Sequence, residues 1–155
     1  MSRPMLTVAL ACALAAPASA NAVDLKLRAL LNAGNVVSAT ESYAKGEARA
    51  LLADDNDVRI HLVYANLEER ATGAALHVGK PGENGALVAK LDLDSDEDSG
   101  RAVGVQFNVG AAFAARLRAG EAYLVITSIQ HPDGVIRGQL LPQPVRLPEP
   151  PLTDD

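Results

Sequence analysis

Residues Gly120–Gln139, GEAYLVITSIQHPDGVIRGQ, read as strand, turn, strand, and they decide the fold class. Tyr123 to Ile129 is apolar and rich in β-branched side chains, which suit a pleated, half-buried surface. His131-Pro132-Asp133-Gly134 then stops the strand. Proline pre-sets the backbone of a tight turn, and Gly134 can take the positive φ that closes such a hairpin. Val135 to Leu141 returns as the partner strand. Simple alternation places Ile136, Gly138 and Leu140 on one face, and Arg137 and Gln139 on the other.

Upstream of this hairpin the same two-residue period recurs. Residues 110–118 are Ala-rich, with Phe113 and Leu117 one helical turn apart, and predict a short helix ended by Gly120. Ala102 to Val109 predicts a strand with Val103, Val105, Phe107 and Val109 on one face. Ala86 to Leu93, Gly73 to Val78 and Lys45 to Leu52 predict three more. In Val58 to Ala65, the residues Val58, Ile60, Leu62 and Tyr64 oppose Arg59, His61 and Val63. Residues 21–32 alternate in the same way, with Val23, Leu25, Leu27 and Ala29 opposite Asp24, Lys26, Arg28 and Leu30. About eight short strands separated by turn signals predict an antiparallel Greek-key β-sandwich or barrel over residues 21–141.

The flanks differ in character. Arg3 precedes an uncharged apolar run from Met5 to Ala16, and Pro17-Ala18-Ser19-Ala20 follows with small residues at the peptidase-read positions. This predicts a signal peptide over residues 1–20, cleaved after Ala20, and hence a periplasmic or secreted protein. The run falls short of the roughly 20 apolar residues that a membrane span requires, so no span is expected after cleavage. Cys12 is the only cysteine and lies inside this segment. The mature chain therefore holds together without disulfides, and cysteine-based zinc sites and thiol catalysis are excluded. From Pro142 the chain carries five prolines in ten residues, and residues 142–155 predict an extended, disordered tail.

The net charge of the whole chain is −5. Loss of Arg3 with the signal moves it one unit further negative, which argues against nucleic acid and anionic membrane surfaces as partners. Aromatic residues make up 3% of the chain and tryptophan is absent, so aromatic sugar platforms are not expected. The expected partner is a protein or a component of the envelope. The sequence sets neither its identity nor the oligomeric state.

Two blocks resemble a known family. One runs from Leu76 to Gly85, LHVGKPGENG, and is similar to a His-x-His-x-Gly-x-x-Gly-x-Asn-Gly segment. The other combines Ala119-Gly120-Glu121-Ala122-Tyr123 with His131 to Gln139, HPDGVIRGQ, and is similar to an Ala-Gly-x-x-Tyr strand and an Asn-Pro-x-Gly-x-Ile-Arg-Gly-Gln hairpin. Together they resemble the CHRD domain family, named after chordin and common in secreted bacterial proteins, over roughly Leu25 to Leu140. The resemblance implies an immunoglobulin-like or superoxide-dismutase-like sandwich and no particular reaction. This chain departs from the pattern at Ala75, where relatives often carry the first histidine of the pair. It departs again at Thr127, where they often carry another.

No catalytic constellation stands out in the sequence. Gly-x-Ser-x-Gly and His-Glu-x-x-His are absent. The preferred expectation is a binding module without cofactor, with Arg137, Gln139, Asn84 and Gly85 as candidate contact residues. Arg137 is expected either to recognise a partner carboxylate or to pair with Glu121 or Glu47 of its own chain. A transition-metal alternative uses His61, His77 and His131, which must converge because a metal needs three ligands at one point. A calcium alternative uses Asp92, Asp94, Asp96 and Asp98, whose oxygens alternate along the chain. The EF-hand pattern itself fails, because its sixth and twelfth positions fall on Glu97 and Val103. A third alternative is a structural component of the envelope or matrix.

Overall fold

The computed structural model describes residues 24–38 and 40–143. The segment read as a signal peptide, and residues 144–155 of the Pro-rich tail, lie outside the described residues. Among the described residues ten strands form: β1 (Leu25–Asn32), β2 (Lys45–Leu52), β3 (Asp57–Ala65), β4 (Ala71–Val78), β5 (Leu87–Leu91), β6 (Asp94–Ser95), β7 (Gly100–Asn108), β8 (Ala122–Ser128), β9 (Ile136–Gln139) and β10 (Leu141–Pro142). One α-helix, α1 (Gly110–Arg118), joins β7 to β8. Among the described residues no helix is long and apolar enough to cross a membrane.

The strands pair antiparallel in the order β5-β4-β8-β9-β1-β2-β3-β7-β6, with β10 also on β1. The sheet curls into a half-barrel, and the all-β class expected from the alternation is what the chain adopts. The curl turns on one joint. Strand β9 meets β1 through a single residue pair, Asn32 with Arg137. The chain then changes partners: residues of β9 pair with β8, and Leu141 and Pro142 pair with Arg28 and Leu27 of β1. The Gln143 N–H continues the run by donating to the Lys26 carbonyl at 2.8 Å. Pro142, read as the start of the tail, is thus part of the sheet.

Glycine makes the joint close enough to form. A Cβ on Gly138 would stand 2.7 Å from the Leu30 carbonyl oxygen and 2.9 Å from the Leu31 side chain. Alternation does the rest. Leu27, Ala29 and Leu31 of β1, Ala48, Ala50 and Leu52 of β2, and Val58, Ile60, Leu62 and Tyr64 of β3 all point inward. They meet Leu76 of β4, Leu124 and Ile126 of β8, Ile136 of β9, and Ala114 and Leu117 of α1 in one core. Each fully buried Leu or Ile contributes about 1.5–3 kcal/mol, so a core of this size needs no cross-link.

Two expectations need adjustment. Among the described residues ten strands form rather than about eight, because β6 lies among the acids Asp92 to Asp98 and β10 takes in Pro142, the first residue of the expected tail. The strand around residue 105 is not cleanly alternating. Ile60 pairs with Val105 and Leu62 with Ala102, so β7 carries an extra residue at Gly104, whose φ is +67°. That bulge turns Ala102 inward and leaves Val103 62% exposed, off the face shared by Val105 and Phe107. The β8–β9 turn closes as the sequence predicts. The Gly134 N–H donates to the His131 carbonyl at 3.1 Å, and Gly134 takes φ +130°.

Candidate functional site

The outer face of β4, β8 and β9 carries a polar cluster centred on Tyr123. Register places His77 beside Tyr123, and Tyr123 beside Gln139, with Arg137 two residues along β9. The His77 and Tyr123 rings stack with centroids 5.1 Å apart and planes 13° from parallel. The Arg137 guanidinium carbon lies 3.5 Å from the Tyr123 ring centroid. A phenol ring thus stacks with an imidazole and a guanidinium, and the π-face attracts the cation.

The segment Gly79–Gly85 folds back over this stack as a strap. Arg137 donates from one terminal nitrogen to the Lys80 carbonyl at 2.9 Å and from the other to Asn84 Oδ1 at 3.3 Å. Gln139 Nε2 donates to the carbonyls of Gly79 at 2.7 Å and Gly120 at 2.8 Å. The Gly85 N–H donates to the Tyr123 hydroxyl at 3.0 Å, and His77 Nδ1 lies 3.0 Å from the Gly85 carbonyl. A carbonyl only accepts, so Nδ1 carries a proton and donates. Two of the strap's three glycines are required by space. A Cβ on Gly85 would fall 1.6 Å from the Val78 carbonyl oxygen, and one on Gly79 would fall 2.9 Å from the Tyr123 ring.

Arg137 is 2% exposed, and no carboxylate pairs with it among the described residues. The expected pairing with Glu121 or Glu47 does not occur. Glu121 bonds Arg116 and lies 3.9 Å from Lys80, while Glu47 accepts from Arg28 and Arg49. The reason is distance and competition: Glu47 shares the outer face but lies two strands away on β2, where Arg28 and Arg49 take its carboxylate. Burial holds the Arg137 guanidinium below its ordinary value, and the Tyr123 phenol opposes that shift. It remains charged, since an arginine side chain does not deprotonate in proteins. Its partners are neutral carbonyl oxygens and a ring face.

The other sequence candidates scatter. Asn84 and Gly85 join Arg137 and Gln139 in the strap assembly. His61 points outward from β3, His77 sits in the stack on β4, and His131 opens the β8–β9 turn, where its N–H donates to Ser128 Oγ at 3.1 Å. Among the described residues no group of three or more His, Cys, Asp or Glu side chains could hold a metal ion. The histidine triad is therefore not assembled, because β3 and β4 lie on opposite sides of the β9–β1 joint. The acids Asp92, Asp94, Asp96 and Asp98 do not converge either. The Asp94 carboxylate accepts from Arg101 at 3.3 Å, and the Asp96 N–H is taken by the Ser99 carbonyl at 2.8 Å.

Sequence reasoning did not single out Tyr123, the centre of the stack. Its signal was present in the Ala-Gly-x-x-Tyr block and in its sharing a face with Gln139.

Fold and site together define a class: a curled antiparallel β-domain in which a buried arginine and its neighbours bind a glycine-rich strap to the sheet. The chain belongs to the CHRD domain family, whose model matches residues 27–140. No curated protein and no solved structure matches it.

Proposed function

We propose that the protein is an exported binding module with no reaction of its own, acting in the periplasm or outside the cell on a protein or envelope partner. The observation that carries this reading is the use made of the polar hub. The side-chain donors of Arg137 and Gln139 go to the chain's own carbonyls and amide oxygen, and Tyr123 takes the Gly85 N–H. Groups of the kind that a reaction would employ are here tied up in fixing a loop. The fixed strap presents Lys80, Pro81, Gly82, Glu83 and Asn84 to solvent on a rigid support, which lowers the ordering cost of an encounter. Membership of the CHRD family and the leader-like residues 1–20 support the same reading.

The test joins localisation to binding. Cells expressing the whole chain are fractionated, the N-terminus of the product is read by mass spectrometry, and the product is passed over immobilised envelope fractions. An N-terminus at Asn21 and salt-sensitive retention on an envelope component are expected. An unprocessed chain in the cytosol, or no retention at any salt concentration, overturns the reading.

A further inference from the structure

The outer face of β1, β2 and β3 is strongly basic although the chain as a whole is acidic. Register lines up Arg28, Arg49 and His61 in one row across the three strands, and Lys26, Leu51 and Arg59 in the next. All five basic side chains are exposed, and they line a groove of about 500 Å³. Acid is scarce there. Arg28 and Arg49 share a single oxygen of Glu47, at 3.2 and 3.0 Å. Arg59 donates to the neutral Gln106 at 2.9 Å, and Lys26 makes no ion pair among the described residues. Asp24, two residues before Lys26, and Asp57, two residues before Arg59, border the second row at one end of the groove, and Asp57 already accepts from Gln106 and Asn108. The groove lining thus carries four fixed cations and no carboxylate, with Glu47 beyond one end and Asp24 and Asp57 beyond the other.

We propose that this groove binds an acidic polysaccharide, a linear sugar polymer bearing carboxylate or sulfate groups. The inference rests on the binding-module reading and specifies its partner. Neighbouring strands lie about 4.8 Å apart, and rows on one face lie about 7 Å apart. The basic groups therefore form a grid whose step is comparable to the repeat of charged rings along a polysaccharide. Guanidinium forks match carboxylate and sulfate oxygens in pairs. The half-buried Leu51, between Lys26 and Arg59, offers an apolar floor for the C–H face of a sugar ring.

Other polyanions fit less well. Apart from the His61 imidazole, the groove residues include no aromatic side chain on which nucleobases could stack. Strands β1, β2 and β3 each have neighbours on both sides, so an acidic peptide finds no free edge for strand addition. Recognition here is ionic and independent of the aromatic platforms that the sequence lacks.

The test compares the purified protein with two variants, Arg49→Glu/Arg59→Glu on the groove and Arg118→Glu on the exposed side of α1. Polygalacturonate and heparin are the immobilised probes, with poly-glutamate and a single-stranded oligonucleotide as competitors of matched charge. Binding to at least one polysaccharide is expected, together with a loss of about tenfold or more in the groove variant and little change in the α1 variant. Raising the salt concentration should weaken binding of the parent protein more than that of the groove variant. Equal losses in both variants, or competitors that displace the polysaccharide as well as it displaces itself, overturn the proposal. Failure to bind either polysaccharide while an envelope protein is retained overturns this inference alone, and retention of neither overturns the binding-module reading as well.

Discussion

Lysine in place of Arg137 keeps the charge and removes the fork. The ammonium is a compact, strongly hydrated donor that can satisfy the Lys80 carbonyl or lie over the Tyr123 ring, but does not span Lys80 and Asn84 as the guanidinium does. One charge-assisted hydrogen bond is lost, worth about 1.5 kcal/mol. The weaker stacking of the cation on a desolvated ring removes about 1 kcal/mol more. The higher dehydration cost of an ammonium at a site that is 2% exposed adds a further cost of about 1 kcal/mol. Arg137→Lys is therefore expected to destabilise the domain by about 3.5 kcal/mol. With a urea slope of about 2 kcal/mol/M this lowers the unfolding midpoint by about 1.8 M. Amide hydrogen exchange adds a local readout, because the Gly79 and Gly85 N–H groups donate within the strap assembly and should exchange faster than core amides of β3. The companion variant Arg137→Met retains an unbranched chain against Tyr123 and removes the buried charge, so it should cost less than lysine. A lysine variant within about 0.5 M of the parent midpoint refutes the reasoning, since it would mean that positive charge alone suffices and the planar fork does not hold the strap.

Glycine substitutions separate a steric from a conformational requirement. Gly85→Ala drives a Cβ to 1.6 Å from the Val78 carbonyl oxygen and should cost about 4 kcal/mol or more, visible as a collapse of the melting transition. Gly104→Ala meets nothing within 4 Å and should cost only about 1–2 kcal/mol for its φ of +67°. Gly138→Ala forces a Cβ against Leu30 at the β9–β1 joint, and loss of the Gln143–Lys26 hydrogen bond by amide exchange would report the opening of that corner.

Stability should also decline in acid. The Ser42 hydroxyl, first, and the Tyr43 N–H hold the Glu68 carboxyl below its ordinary value of 4.5. A carboxyl depressed in the folded state stabilises above its unfolded value, and that contribution disappears as pH falls through the folded value. Glu68→Gln is therefore expected to shallow the fall in urea midpoint below about pH 4.5, and an unchanged acid limb would show that these two bonds do not stabilise the fold.

Much of the architecture was legible because alternation is a local property of the chain. Val58, Ile60, Leu62 and Tyr64 face inward because the strand period is two, and Gly134 turns because its backbone tolerates positive φ. Alternation fails at Gly104, where an extra residue in β7 shifts the phase, and only the pairing with β3 reveals it. The candidate site was half legible. Arg137, Gln139, Asn84 and Gly85 were marked from the motif blocks, whereas an acid partner for Arg137 was the natural expectation from charge alone.

By itself, then, the sequence determined the antiparallel β class, the inward faces, the closing turn and the residues of the two glycine-containing blocks, since each depends on neighbours within a few positions. Tertiary structure alone decided that Arg137 meets a carbonyl 57 residues earlier, that Tyr123 stacks between a histidine and an arginine, and that five basic side chains converge on one groove. Those outcomes depend on the register between strands distant in sequence. A one-residue slip in register would carry a strand's outward residues to the opposite face.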